Sequence, residues 1–176
     1  MTANNIKLAT GASTYITKPS IEEKPEFLLA VKQSQALHYP WVRPPSNEDQ
    51  YLLYLKRMSL PSHESFFIKC NTNNKLVGVV NINEIVRGAF QSGYLGYYVF
   101  SDYAEQGLMA EGFSLVKTYA LNEMNLHRLE ANIQPDNAKS IAFIKKQGFR
   151  LEGFSPNYLR INGKWEDHAR FAITSD

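Results

Sequence analysis

Val99-Phe100-Ser101-Asp102-Tyr103-Ala104-Glu105-Gln106-Gly107-Leu108-Met109-Ala110-Glu111 joins a strand-like stretch to a helix-like one through a short loop with one glycine. Upstream, Ser92 to Phe100 is rich in aromatic residues and reads as a strand. Downstream, Met109, Phe113, Val116 and Ala120 recur three or four apart, and the spacing predicts a helix over Gly107 to Met124. A helix opening straight out of such a loop leaves the N–H groups of its first turn without intrahelical acceptors, and its dipole favours an anion there. A phosphate could sit against those amides. An ordinary strand-to-helix turn would read the same way.

Toward the C-terminus, Leu129, Ala131 and Ile133 alternate with strand period. Pro135-Asp136-Asn137 then opens a short helix that Gly148 ends at its C-cap position, with Asp136 or Asn137 as cap and Ser140 in the first turn. Phe149 to Phe154 and Trp165 to Ile173 read as strands about an Asn162-Gly163 turn. In the last strand Trp165, Asp167, Ala169, Phe171 and Ile173 share one face, so Asp167 is expected inward, either paired or functional. Toward the N-terminus, Ser65 to Cys70 and Lys75 to Val86 flank the turn-forming Asn71 to Asn74 as a hairpin. Ser46 with Asp49 starts a helix reaching about Met58. Ser20 to Leu37 suits an amphipathic helix whose regular part begins near Pro25, and the prolines of His38 to Pro45 forbid its continuation. Ser13 to Thr17 reads as a first strand, and residues 1–10 as a flexible N-terminal arm ahead of a single domain over 11–176. The expected fold is mixed α/β (α+β), a mostly antiparallel twisted sheet flanked by about four helices.

The 176 residues, 44% of them hydrophobic and including 10 Phe, 10 Tyr and 2 Trp, suffice for one domain with a substantial core. Nineteen Lys and Arg stand against 17 Asp and Glu, scattered along the chain, so no nucleic acid is expected as partner. His38, His63, His127, His168 and Cys70 show no metal-ligand spacing, so no metal is expected. No stretch approaches the roughly 20 apolar residues of a membrane span, and the first ten residues lack the apolar run of a secretory signal. A cytoplasmic protein without a membrane partner is the expectation.

Taken in order, several segments resemble the GNAT superfamily of acyl-CoA-dependent N-acetyltransferases, and most of all its RimJ/RimL type. They are Leu76-Val77-Gly78-Val79-Val80-Asn81, Tyr94-Leu95-Gly96-Tyr97, Gln106-Gly107-Leu108-Met109-Ala110-Glu111, Asp136-Asn137-Ala138-Lys139-Ser140, Gly148-Phe149-Arg150-Leu151-Glu152-Gly153 and Asn162-Gly163-Lys164-Trp165-Glu166-Asp167-His168. The resemblance implies that an amine attacks the thioester of acetyl-CoA and that CoA leaves as thiolate. It implies that Leu95 to Val99, with Tyr97, Tyr98 and Val99, form a bulged strand whose backbone pairs with the pantetheine arm. Gln106, Gly107, Leu108, Met109 and Ala110 match the loop that holds the pyrophosphate, and Asn137 the asparagine that hydrogen-bonds the arm. Ser140 matches a hydroxyl near the thioester sulfur, where it is the candidate acid, because Ile144 stands where many members carry a tyrosine. The sequence also departs from the loop pattern with Ala104 in a Gln/Arg position and Glu105 where a second glycine is common.

The acceptor groove is expected near Trp41 and Tyr158. Glu84, at a strand end that could equally be solvated, and Asp167 are candidate bases or amine-orienting groups. A protein α-amine, with a pKa of about 7.7–8.0, needs no strong base. The leading expectation is therefore transfer to a protein N-terminus, of the ribosomal-protein type, by a monomer or homodimer. A small-molecule amine acetyltransferase and a non-catalytic acyl-CoA-binding module remain as alternatives.

Overall fold

In a computed structural model that describes residues 6–175, the apolar stretches pair into one sheet of eight strands. These are β1 (Ala9–Thr10), β2 (Thr14–Thr17), β3 (Glu64–Cys70), β4 (Leu76–Val86), β5 (Ser92–Val99), β6 (Arg128–Ile133), β7 (Arg150–Ile161) and β8 (Lys164–Thr174), hydrogen-bonded in the order β1-β2-β3-β4-β5-β6-β8-β7. Every neighbouring pair is antiparallel except β5 and β6. Five α-helices accompany it: α1 (Lys24–Gln33), α2 (Gln35–His38), α3 (Glu48–Met58), α4 (Leu108–Asn122) and α5 (Ala138–Lys146).

Two apolar layers grip the sheet. Phe113, Val116 and Ala120 of α4 and Ile144 of α5 pack on Phe66, Ile68, Ala131 and Phe171 on one side. On the other, Phe27 and Val31 of α1 and Tyr51 and Tyr54 of α3 pack on Phe67, Val79, Tyr98 and Phe100. Packing on both faces explains why β3 is buried at every position from Ser65 to Cys70 rather than at alternate ones. Gly112 lets α4 lie hard against β3, because a Cβ there would come within 2.2 Å of Ile68 Cγ2. No helix among the described residues is long and apolar enough to cross a membrane.

Three expectations change. The flexible arm expected over residues 1–10 ends before Ala9, since Ala9 pairs with Ile16 and Thr10 with Tyr15, and Leu8 packs on the core; residues 1–5 lie outside the described residues. The helix expected from Ser20 to Leu37 divides at Ser34. That buried hydroxyl oxygen accepts a 2.9 Å hydrogen bond from the Ser101 N–H, a tertiary contact that helical periodicity cannot register. The α3 cap moves one residue on, to Asn47, whose Oδ1 accepts from the Gln50 N–H at 2.9 Å.

Parallel pairing between β5 and β6 is confined to Ser92–Leu95 against Arg128–Ala131. Beyond Leu95 the two strands part, and Gly96 to Val99 have no partner on that side. The bulge expected in Leu95 to Val99 lies instead in β4. Between the pairs Asn83↔Tyr94 and Val86↔Ser92, β4 carries the extra residue, and Glu84 adopts φ +49° there.

Candidate active site

A cavity of about 530 Å³ opens where β5 and β6 part. Leu95, Gly96 and Tyr97 form one wall, Ala131, Asn132 and Ile133 the other, and Asn137 and Ser140 enter from the start of α5. Its far end is bounded by Trp41, Arg57, Asn83, Glu84, Tyr94, Tyr158 and His168. Six of the residues expected at a site are thus brought together: Trp41, Glu84, Tyr97, Asn137, Ser140 and Tyr158.

At the centre, the Tyr97 and Ser140 hydroxyls lie 2.8 Å apart. The Tyr97 ring is fixed between Phe113 and Phe143, with centroids 5.1 and 5.3 Å away. Burial pushes the Tyr97 hydroxyl up to about 12, against a smaller opposing effect of the bond to Ser140, so the pair stays protonated and neutral at physiological pH. Asn137 caps α5 by accepting the Ser140 N–H at its Oδ1 (3.2 Å). This bond uses the amide oxygen and leaves the Nδ2 donors out of the cap.

The loop of Gln106 to Ala110 does not line the cavity but lies beside the same end of α5, where Lys139 Nζ meets Glu105 Oε1 at 3.0 Å. Gly107, at φ +80°, is the N-cap of α4 and offers no side-chain acceptor. The first intrahelical bond is Glu111 N–H to Gly107 O, which leaves the N–H groups of Leu108, Met109 and Ala110 without an intrahelical acceptor. Glu111 accepts the Ser13 N–H (3.0 Å), and the exposed Glu105 pairs with Lys139, so both carboxylates of this segment have partners other than those amides.

Tyr98 and Val99 are not in the cavity. The Tyr98 side chain is buried in the opposite layer between α1 and α3, and the Val99 carbonyl accepts the His38 Nε2–H at 2.9 Å.

Asp167 is also displaced. It is exposed, and its Oδ1 accepts the Asn157 N–H at 2.8 Å across the β7–β8 hairpin. The alternation is as expected, but toward the hairpin turn that face is uncovered: Trp165 is 61% exposed, whereas Phe171 farther along the same face is buried. The other face is the buried one: His168, 3% exposed, lines the cavity with its ring against Tyr158, centroids 6.0 Å apart. His168, Asn132, Arg57 and the Tyr97 hydroxyl were not singled out from the sequence, and the period of the last strand held the signal for His168. Among the described residues, no three His, Cys, Asp or Glu side chains gather as metal ligands.

A family model described as an acetyltransferase (GNAT) domain matches residues 14–150. A Bacillus subtilis (strain 168) protein named probable N-acetyltransferase YjcK is 37% identical over 120 residues, 68% of this chain and 66% of that protein. The ribosomal protein uS5-alanine N-acetyltransferase of Escherichia coli (strain K12) is 36% identical over 101 residues, 57% of this chain and 52% of that enzyme. The matches thus span about two thirds and about half of those relatives. The structure of spermidine N-acetyltransferase from Vibrio cholerae, in complex with CoA and spermine, superposes with a TM-score of 0.78 over 93% of this chain and 96% of that one, at 18% identity. The parted strands, the loop with unpaired amides and the matched family model converge on one conclusion: this chain belongs to the GNAT family of acetyltransferases.

Proposed function

We propose that the protein transfers an acetyl group from acetyl-CoA to the α-amine of a protein N-terminus, of the ribosomal-protein type, in the cytoplasm. The observation that carries this reading is the single cavity that connects the parted strands, the Ser140–Tyr97 hydroxyl pair and Glu84.

In this reading the amides of Gln106 to Ala110 hold the diphosphate, and Asn137 Nδ2 and the free edge of β5 hold the pantetheine arm. The acceptor enters past Trp41 and Tyr158, and Glu84 orients its ammonium and takes one proton. The neutral amine nitrogen attacks the thioester carbon, backbone N–H groups beyond Leu95 receive the developing oxyanion, and the C–S bond breaks. As the C–S bond breaks the attacking nitrogen sheds its second proton, and one proton reaches the CoA sulfur through the Tyr97–Ser140 hydroxyl pair, so both hydroxyls end neutral.

The acceptor end supports an α-amine over a polycation. Among the described residues lining the cavity, Glu84 is the carboxylate and Arg57 sits near it, bonded to Asn83 Oδ1 at 3.0 Å. One carboxylate beside one guanidinium matches a single ammonium better than the several charges spread along a polyamine. It also suits the lower pKa, about 7.7–8.0, of an α-amine.

The test is acetylation of a pool of synthetic peptides with free α-amines, alongside Nα-blocked lysine peptides and spermidine, with mass detection. Acetylation at peptide α-amines is expected. Exclusive modification of spermidine would replace the acceptor, and acetyl-CoA binding without any product would replace catalysis by a binding role.

A further inference from the structure

Behind Glu84 lies a group that the mechanism above does not use. His63, 6% exposed, sits just ahead of β3 and outside the cavity lining, with Nε2 3.6 Å from Glu84 Oε1. That nitrogen is fully buried and has no hydrogen-bond partner among the described residues. Buried polar atoms in this state are rare and call for a physical reason. The opposite ring nitrogen, Nδ1, is 2.9 Å from Ser62 Oγ. The Ser62 carbonyl accepts the Ile85 N–H at 2.8 Å, so the Ser62-His63 segment is clasped to the β4 bulge itself.

Glu84 has an unusual backbone as well. Its φ of +49° is one that non-glycine residues adopt at a cost, and it turns the carboxylate toward both the cavity and His63. A regular strand would place Glu84 and Ile85 one step out of this register.

We propose that His63 is a positioning residue for Glu84, holding the carboxylate through Nε2–H while Glu84 receives the proton of the acceptor ammonium. The inference rests on the role given to Glu84 above. At 3.6 Å the contact is longer than a hydrogen bond, and catalytic contacts of this kind close when substrate binds. On this proposal Ser62 Oγ–H donates to Nδ1 across their 2.9 Å contact, with the ring proton on Nε2. No proton crosses the ring: the ammonium loses one, Glu84 gains it, and the imidazole stays neutral.

The experiment compares E84Q, H63L, H63Q and E84Q/H63L in the full chain, using the peptide pool as acceptor and calorimetry for acetyl-CoA. E84Q is expected to lower acceptor kcat/KM by about a hundredfold and H63L by about tenfold, with the Kd for acetyl-CoA unchanged. H63Q, whose side-chain amide can donate from nearly the Nε2 position, should recover to within about threefold of wild type, and the double variant should be no worse than E84Q alone. If H63L acts like wild type while E84Q is impaired, His63 has no positioning role and Glu84 keeps its own. If E84Q is unimpaired, the reading of Glu84 fails and takes this inference with it. A readout independent of turnover is nitrogen-15 NMR of the imidazoles, with H63Q identifying the signal. The Nε2–H tautomer is expected for His63, and an Nδ1–H tautomer would overturn the inference whatever the acceptor.

Discussion

Replacing Tyr97 with Phe removes one oxygen and leaves the ring where Phe113 and Phe143 hold it, with centroids 5.1 and 5.3 Å away. Because the ring stays packed, the change isolates the 2.8 Å contact with Ser140 Oγ. A neutral hydrogen bond of this kind contributes about 0.5–1.5 kcal/mol. If Tyr97 acts by aiming the Ser140 hydroxyl at the leaving sulfur, that energy appears in the barrier and lowers kcat by about two- to twelvefold. Ser140→Ala removes the acid itself and should lower kcat by about a hundredfold, and adding Tyr97→Phe to it should cost nothing more. The assay is release of the CoA thiol, followed colorimetrically with the acceptor that the peptide pool identifies, beside calorimetric Kd values for acetyl-CoA. Wild-type kcat in Tyr97→Phe, or full additivity with Ser140→Ala, would refute the reasoning.

Asn137 can be divided into its two duties. Asn137→Asp keeps the cap of α5 and should preserve Tm while weakening acetyl-CoA binding, whereas Asn137→Ala should weaken binding and also cost about 1 kcal/mol, or roughly 2–4 °C in a thermal melt. Glu23 and Lys69 form an ion pair at 7% and 9% exposure that ties the start of α1 to β3. Lys69→Met leaves that carboxylate buried with the Ser20 N–H but without its countercharge, so a loss of about 3–5 kcal/mol and a fall in Tm of roughly 6–20 °C are expected by calorimetric scanning. With a peptide acceptor that enters as the ammonium and gives its proton to Glu84, kcat/KM should be level through neutral pH and fall above about 8, where the free α-amine has lost that proton. The Tyr97 hydroxyl, pushed up to about 12 by burial, adds no limb in that range, and a rate rising steeply between pH 6.5 and 8 would count against the account.

What could be read in the sequence follows from how local each feature is. The loop before α4, the cap at Asn137 and the placement of Ser140 one turn into α5 are written in consecutive residues, and the structure keeps all three. Features made by contacts distant in sequence were not legible. Ser34 breaks a helix because it faces Ser101, and Ala9 and Thr10 become a strand because β2 offers an edge. Asp167 shows the limit of period-two reasoning. Alternation tells which residues share a face, but not how far along the strand that face is covered, and here Trp165 and Asp167 are exposed while Phe171 is buried. The β4 bulge is the costliest omission, since one extra residue with φ +49° brings Glu84 beside the buried His63, and nothing in the run Asn81 to Val86 announces it.

The most direct measurement is a calorimetric titration of CoA into the full chain, with thermal melts in parallel, for wild type and Gly107→Val. Gly107 adopts φ +80°, which a β-branched residue tolerates badly; a Cβ there would meet nothing within 4 Å, so the substitution acts through the backbone that presents the α4 amides. The account predicts one CoA per chain and, at a hundredfold excess over Kd, about 2.7 kcal/mol of added stability, both lost or sharply reduced in Gly107→Val. No heat and no thermal protection in the wild type, or equal affinity in a folded Gly107→Val, would contradict it.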